Sequence, residues 1–219
     1  MASWPSRPDP FPRLYAILDV DAAAGRGLVP LTLLEAWLGA GVRLVQLRAK
    51  RLPAGPLLEL VDHAVALTRA AGATMIVNDR VDLARLAGAD GVHVGQDDLP
   101  AAAARVQLGG AAIVGVSTHN EAQLGDAIAL PVNYLAIGPV FATSTKERPD
   151  PVIGVAGVSS ARRRLAGDGR ALVAIGGITL DRVRSVVDAG ADAVAVIGDL
   201  LVGDPSRRAR EYLRALDVR

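Results

Sequence analysis

Residues 74–99 read TMIVNDRVDLARLAGADGVHVGQDDL and contain one complete copy of the pattern that decides the fold. Two short apolar runs, Thr74–Asn78 and Gly91–Val94, flank an amphipathic run, Val81–Ala87. Short continuous apolar runs are typical of strands that are buried on both faces, as in a parallel sheet. The stretch therefore predicts a strand, a helix and a second strand parallel to the first.

The same alternation extends in both directions along the chain. Eight such units without a break in composition predict one closed (β/α)8 TIM barrel of the α/β class. An open doubly wound sheet is the alternative, but VDAAAGRG at 20–27 is not its glycine fingerprint. The remaining predicted strands are Leu14–Asp19, Val42–Leu47, Ala112–Val116, Tyr134–Gly138, Leu172–Ile175 and Ala193–Ile197, and the remaining predicted helices are Leu31–Ala40, Leu57–Ala71, Ala101–Val106, Ala122–Ala129, Val155–Arg164, Leu180–Ala189 and Ser206–Leu216.

Several short motifs predict where helices end and begin. The sequence GAD occurs at 88–90 and 190–192, each time just before a predicted strand. Glycine commonly follows the last turn of a helix, so we interpret GAD as a helix-to-strand turn that is used twice. Helix starts are predicted at Thr179 with Asp181 and at Asp204-Pro205.

Composition limits the classes of protein to consider. The 219 residues are 51% hydrophobic and 21% charged, which excludes a disordered chain. A net charge of +1 argues against nucleic acid as a partner, so anion binding must rest on locally placed basic groups. The chain has no cysteine, which excludes disulfides and thiolate metal sites.

The chain termini and the apolar runs bear on location. Prolines at 5, 8, 10 and 12 predict an irregular arm over residues 1–13, followed by one barrel domain over 14–219. The arm lacks the apolar core of a secretory signal. No apolar run is long enough for a spanning helix. We therefore expect a cytoplasmic protein with no membrane partner.

The active site of a TIM barrel lies at the carboxyl ends of its strands, so the polar residues there are the candidates for function. The second predicted strand leads into Gln46-Leu47-Arg48-Ala49-Lys50. Alternate residues of a strand share a face, which places Gln46, Arg48 and Lys50 on one side. Two cations and an amide at a barrel mouth suit a polyphosphate, whereas a solvated charge pair is the alternative.

Two carboxylates follow the third and fourth predicted strands. Asp79 comes after Asn78, and Asp98 comes after Gly95-Gln96-Asp97. They are open to three interpretations: an acid/base pair, a divalent-cation site, or N-caps of the following helices. The basic residues on the neighbouring strand favour Mg2+ with a pyrophosphate, because this ion binds one or two carboxylates together with substrate phosphates.

The other side of the predicted mouth is rich in glycine and hydroxyl groups. The loop after the sixth strand carries Thr143, Thr145 and Lys146, which suit a phosphate, and its length suggests a lid. Gly176-Gly177 follows the seventh strand and Gly198 the eighth, where barrels frequently bind phosphate. His119 is at the predicted rim, but no paired-histidine zinc motif and no acyl-transfer nucleophile motif is present.

Seven motifs, in order along nearly the whole barrel, resemble the thiamine-phosphate synthase family. Members of this family join a hydroxymethylpyrimidine diphosphate to a thiazole phosphate and release pyrophosphate. No protein nucleophile is needed for such a dissociative substitution. The motifs are QLRAK at 46–50, NDRVDLA at 78–84, GVHVGQDDL at 91–99, GVSTH at 115–119, GPVFATSTK at 138–146, AIGGI at 174–178 and GADAVAVIG at 190–198.

The resemblance implies roles for individual residues. Asp79 and Asp98 would coordinate Mg2+ on the pyrophosphate. Arg48, Ser117 and Lys146 would be the catalytic residues. The diphosphate substrate would also contact Gln46, Leu47, Ala49, Lys50 and Asn78, and the thiazole phosphate would contact Thr143, Ser144, Thr145, Gly177, Ile197 and Gly198.

Two residues depart from the family pattern. Ala49 stands where an acidic residue is common, and Gly198 stands where a serine is common. We expect weaker phosphate binding at Gly198, by about 1–2 kcal/mol for a lost hydrogen bond, and an altered orientation of Arg48 and Lys50. The alternatives are a thiazole tautomerase-like paralogue that uses His119, and a non-catalytic phosphate-binding barrel. The sequence leaves a homo-oligomer open.

Overall fold

A computed structural model describes residues 11–143 and 150–217. Within these ranges eight parallel strands close into a barrel in sequential order, from β1 to β8, and β8 pairs with β1. The predicted TIM barrel is therefore confirmed. The strands are β1 Leu14–Asp19, β2 Leu44–Arg48, β3 Thr74–Asn78, β4 Gly91–Val94, β5 Ile113–Thr118, β6 Tyr134–Ile137, β7 Ala171–Ile175 and β8 Ala193–Val196.

Helices lie outside the barrel, between successive strands. Eight of the nine α-helices that the described residues form overlap the predicted helices. The exception, α1, is a single short turn directly after β1. The helices are α1 Val20–Ala24, α2 Pro30–Ala40, α3 Ala54–Ala70, α4 Val81–Leu86, α5 Ala101–Leu108, α6 Glu121–Ala127, α7 Gly154–Arg164, α8 Val183–Asp188 and α9 Pro205–Asp217, with a 3-10 helix at Gly198–Leu201.

The two faces of the strands form two apolar cores. On β1, Leu14, Ala16 and Leu18 pack against the helices. Tyr15 and Ile17 face the inside of the barrel, where they meet the inward residues of the other strands. This alternation has a period of two, because successive side chains of a strand point to opposite faces. The residues that end each strand with inward parity are therefore the ones that reach the mouth.

The GAD turns act as predicted. Gly88 and Gly190 adopt the left-handed backbone that ends the preceding helix. In each turn the aspartate carboxylate then accepts a hydrogen bond from the strand before it. Asp90 Oδ2 lies 2.7 Å from the Met75 nitrogen, and Asp192 Oδ2 lies 2.7 Å from the Leu172 nitrogen. The motif is structural and fastens neighbouring strands at the amino end of the barrel.

One predicted helix start is confirmed and one is wrong. Asp204 caps α9, accepting from the Arg207 nitrogen at 2.6 Å, with Pro205 in the first turn. The start predicted at Thr179 is wrong, because α8 begins only at Val183. The intervening residues form a turn, which is closed by the Arg182 nitrogen donating to the Thr179 carbonyl at 3.0 Å.

The last residues of the predicted arm are part of the fold. Phe11 is buried and lies against the Tyr134 ring, with 5.7 Å between ring centroids. Residues 1–10 lie outside the described ranges. No helix within those ranges is long and apolar enough to cross a membrane.

Candidate active site

The basic residues after β2 are held by carboxylates from neighbouring strands. Arg48 forms an ion pair with Asp19 at the end of β1, and the Asp19 side chain is nearly fully buried. Lys50 Nζ lies 2.5 Å from Asp79 Oδ2, after β3. Both cations therefore have carboxylate partners, but only the Arg48 pair is largely buried, and the solvated-pair interpretation still describes the half-exposed Lys50. Ala49 lies between them and packs against the helix-facing core.

This arrangement bears on the departure at position 49. An acidic residue there is not needed to orient either cation, because Asp19 and Asp79 do so. Asp19 was missed in the sequence, where it reads as the last residue of an apolar strand. Its inward parity and its position at a strand end were the available signals.

Asp79 and Asp98 approach each other closely enough to form a hydrogen bond between their carboxyl groups. Asp79 has a φ of 61°, the left-handed region that non-glycine residues seldom occupy. Asp98 Oδ2 also accepts from the Gly95 nitrogen at 2.8 Å. The two carboxylates thus converge at the ends of β3 and β4.

Neither aspartate is a helix cap. Helix α4 begins after Arg80 and α5 begins after Pro100, and neither helix has a side-chain hydrogen bond at its cap. The N-cap interpretation is therefore wrong for both residues. An acid/base pair and a cation site remain.

The electrostatics of the pair agree with both remaining interpretations. Burial and the neighbouring Asp98 raise the pKa of Asp79, and Lys50 only partly offsets them. Burial opposes ionisation of Asp98 as well, but the hydrogen bonds from Asp79 and from the Gly95 N–H lower its pKa. Two carboxyl groups this close share a proton unless a positive charge lies between them.

The donors present fit Mg2+. The ion binds hard oxygen ligands and usually takes one or two carboxylates, with the rest supplied by water and substrate phosphates. In the described part of the chain no group of three or more potential metal-ligating side chains converges. A two-carboxylate site of this kind would need a phosphorylated substrate to complete the coordination.

The other residues expected to contact the diphosphate substrate differ in the face of the strand on which their side chains lie. Gln46 and Asn78 each lie two positions after an interior residue of the same strand, so their side chains point into the barrel. Ser117 is partly exposed near the end of β5, and its Oγ lies 2.8 Å from His93 Nε2. Leu47 faces the other way and is buried in the helix-facing core. Only the backbone of Leu47 is available to a ligand at the mouth.

The opposite side of the mouth is formed by backbone. Gly177 has a φ of 63°, and a Cβ there would lie 2.4 Å from the Ala142 carbonyl oxygen. Glycine is required at this position for both reasons. Around Gly198 a Cβ would meet nothing within 4 Å. Ile197 is partly buried and packs against the interior core.

The loop after β6 is described only in part. Thr143 is partly exposed at its last described position. Ser144, Thr145 and Lys146 lie outside the described residues, so their predicted roles stay predictions.

His119 follows β5 and contacts the backbone that follows β6. Its Nδ1 lies 2.7 Å from the Gly138 carbonyl oxygen and 3.5 Å from Asp150 Oδ2. Its ring lines a cavity of about 390 Å3 between α6 and α7, together with Leu124 and Gly157. Within the described residues His119 forms no hydrogen bond with Asp79 or Asp98.

Comparison with known proteins now identifies the family. The family model described as thiamine monophosphate synthase matches residues 14–200. A thiamine-phosphate synthase of Koribacter versatilis is 49% identical over 209 residues, covering 94% of this chain and 96% of the relative. The chain belongs to the thiamine monophosphate synthase family. Family membership makes it a transferase of thiamine biosynthesis, as the motifs predicted.

Further members of the thiamine monophosphate synthase family agree with this assignment. A thiamine-phosphate synthase of Chloroflexus aurantiacus is 40% identical, with 93% of this chain and 92% of the relative covered. The solved structure of a thiamine phosphate pyrophosphorylase from Pyrococcus furiosus superposes with a TM-score of 0.82 at 29% identity. The match covers 94% of this chain and 95% of that one, so the likeness includes the whole barrel.

Proposed function

We propose that the barrel mouth joins 4-amino-2-methyl-5-hydroxymethylpyrimidine diphosphate to thiazole phosphate, with Mg2+ as cofactor and pyrophosphate as the second product. The proposal rests above all on the group formed by Lys50, Asp79 and Asp98. A paired carboxylate site beside an ammonium group suits a metal-bound pyrophosphate better than it suits a single phosphate. We also propose residues 14–219 as one catalytic domain.

Asp79 and Asp98 would hold the Mg2+ ion. When bound, Mg2+ supplies positive charge that stabilises the departing pyrophosphate. Arg48, directed by Asp19, would add a second cation that can bind phosphate oxygens in a bidentate manner. Lys50, which contacts Asp79, would supply an ammonium group to the substrate phosphates. Lys146, which lies in the β6 loop, is proposed to contribute a third cation.

The bond changes need no nucleophile from the protein. The C–O bond between the pyrimidine methylene and the diphosphate breaks, and its electron pair leaves with pyrophosphate. The amino-substituted ring stabilises the resulting cation. The thiazole nitrogen then donates its lone pair to form the C–N bond. The task of the protein is to neutralise the leaving group and to hold the two substrates in line.

The thiazole phosphate is assigned to the backbone side. Gly177 and Gly198 let the chain approach an anion closely, and bare N–H groups at such positions bind phosphate. Thr143, Ser144 and Thr145 would complete this subsite from the β6 loop. This separation puts the two phosphorylated groups on opposite sides of the mouth.

One assay tests the proposal against its alternatives. Purified protein is incubated with both substrates and Mg2+, and thiamine phosphate and pyrophosphate are measured. We expect equal amounts of the two products and a loss of both when the metal is chelated. Binding of thiazole phosphate without any product would indicate a non-catalytic barrel. Conversion of a thiazole phosphate tautomer in the absence of the diphosphate would indicate a tautomerase.

A further inference from the structure

A chain of hydrogen bonds crosses the inside of the barrel and ends at Ser117. It begins at Gln46 on β2, whose Nε2 lies 2.9 Å from the Tyr15 hydroxyl. The Tyr15 and Tyr134 hydroxyls are 2.9 Å apart. Tyr134 is also 2.9 Å from His93 Nδ1, and His93 Nε2 is 2.8 Å from Ser117 Oγ. Three side chains, Tyr15, Tyr134 and His93, thus connect Gln46 with Ser117, two residues that are proposed to bind the diphosphate substrate.

This series of hydrogen bonds is shielded from water over most of its length. Gln46, Tyr15, Tyr134 and His93 are all buried. The His93 ring stacks on the Tyr134 ring at 5.5 Å between centroids. Buried hydrogen bonds of this kind polarise one another and fix the orientation of their members.

The Tyr134 ring occupies a space that the sequence leaves open for it. A Cβ at Gly115 would lie 2.0 Å from the Tyr134 ring. Gly115 pairs with His93 on one side and with Tyr134 on the other. The absence of a side chain at this position therefore lets the tyrosine ring reach the histidine.

Counting donors and acceptors shows which atom donates in each hydrogen bond of the series. The Gln46 Nε2 group can only donate, so the Tyr15 oxygen accepts from it. A phenol oxygen can accept twice, so the direction of the next bond follows from the Tyr15 proton, whose one acceptor within hydrogen-bond distance among the described residues is the Tyr134 oxygen. Tyr134 in turn donates to His93 Nδ1, which must be unprotonated. A neutral imidazole then carries its proton on Nε2 and donates it to Ser117 Oγ.

The histidine is neutral in this environment. His93 is buried, and its two ring nitrogens face the hydroxyl oxygens of Tyr134 and Ser117 rather than a carboxylate that could compensate an imidazolium. Because the Ser117 oxygen accepts the hydrogen bond from His93, the Ser117 hydroxyl proton remains available for donation to another group. Ser117 is also the one member of the chain that is partly exposed at the mouth.

We propose that Tyr15, Tyr134 and His93 are positioning residues that turn the Ser117 hydroxyl into an outward hydrogen-bond donor for an anionic oxygen of the diphosphate substrate. The proposal rests on the proposed function for the identity of that substrate. Without the Tyr134 hydroxyl, His93 Nδ1 would lose its donor and the other tautomer would become favoured. Nε2 would then accept, and Ser117 would donate inward to His93 instead of outward.

A double-mutant cycle tests the coupling. We expect Tyr134→Phe to lower kcat/KM for the diphosphate substrate by about tenfold, the value of one lost hydrogen bond, without changing KM for thiazole phosphate. In a Ser117→Ala background the same change should have less than a twofold effect, because the target is gone. An equal loss in both backgrounds would overturn the proposal. Tyr15→Phe repeats the cycle should Tyr134→Phe fail to fold.

A matched control and a second readout separate positioning from stability. Thr68→Val removes another buried hydroxyl, which bonds only within α3, and it should leave both kinetic constants unchanged. Nitrogen NMR of histidine-labelled protein should show His93 protonated at Nε2, and a shift toward the Nδ1 tautomer in Tyr134→Phe. Protonation at Nδ1 in the unmodified protein would refute the inferred direction. This spectrum needs no substrate, so it stands even if the assay of the proposed function finds no product.

Discussion

The two sides of the barrel mouth are built from different parts of the chain. At the ends of β1 to β4 the mouth carries charged side chains that contact one another: Arg48 with Asp19, Lys50 with Asp79, and Asp79 with Asp98. The part that we propose after β7 and β8 is centred on the backbone of two glycines, Gly177 and Gly198.

The difference teaches how each side can be altered. On the charged side a carboxylate can be changed to its amide with little change in shape, so the electrostatic role is tested directly. On the glycine side any added side-chain atom has steric effects and effects on backbone conformation before it has chemical ones. Paired substitutions on the two sides should therefore separate effects on the diphosphate substrate from effects on thiazole phosphate.

The largest effect is expected for Asp98→Asn. Loss of one metal-binding carboxylate should lower kcat by at least about 100-fold, because metal stabilisation of a leaving group is worth several kcal/mol. Binding of thiazole phosphate, measured by calorimetry, should change little. The neighbouring exposed Asp97→Asn is the matched control. Unchanged turnover in Asp98→Asn would remove this residue from the metal site.

On the opposite side, Gly177→Ala should raise KM for thiazole phosphate by about tenfold or more. The new Cβ would collide with the Ala142 carbonyl, and the left-handed backbone would cost about 1 kcal/mol in addition. Gly167→Ala serves as the control, because it has a similar φ of 79° but nothing within 4 Å. It should lose stability in urea denaturation and keep its KM. A normal KM in Gly177→Ala would contradict the assignment.

An intermediate effect is expected for Asp19→Asn. The amide cannot hold Arg48 by charge, so KM for the diphosphate substrate should rise several-fold, in line with about 1–2 kcal/mol for a charge-assisted hydrogen bond. Asp19 also caps α1 by accepting from the Ala22 nitrogen, a role that asparagine can keep, and the exposed Asp21→Asn controls only for the loss of a charge near that turn. Steady-state kinetics with each substrate varied in turn provide the measurement. Equal constants for Asp19→Asn and the unmodified protein would show that Arg48 does not depend on Asp19.

The smallest effect, and the only gain, is expected for Gly198→Ser. The open space around Gly198 accepts a side chain, and the hydroxyl can add one hydrogen bond to phosphate. KM for thiazole phosphate should fall a few-fold, consistent with about 1 kcal/mol. Gly198→Ala adds the Cβ without the hydroxyl and should show no improvement. A serine variant that behaves like the alanine variant would place the phosphate elsewhere.

Most of the fold could be read from local pattern. The predicted strands from Thr74 and from Gly91 match the structure at both ends, because short apolar runs bounded by polar residues leave little choice of register. The start of α8 was misplaced, because Thr179 and Asp181 have the residue types of a cap while the chain there forms a separate turn.

Site residues were predictable to the extent that they end strands. Gln46, Arg48 and Asp79 were found because polar residues after a buried run stand out. Asp19 was missed although it too ends a buried run with inward parity, and its ion pair with Arg48, 29 positions away, is visible only in the structure. The helix-cap interpretation of Asp79 and Asp98 could be rejected only from the backbone at the two helix starts.

The sequence by itself determined the number of β/α units, the parity of each strand and hence the set of side chains that could reach the mouth. Those properties follow from periodicity, which is local. The tertiary structure alone decided which of these side chains touch: Asp19 with Arg48, Lys50 with Asp79, and Ser117 with Tyr134 through His93. Closure of the barrel sets these contacts, because it brings together residues whose separation along the chain carries no signal in the local sequence.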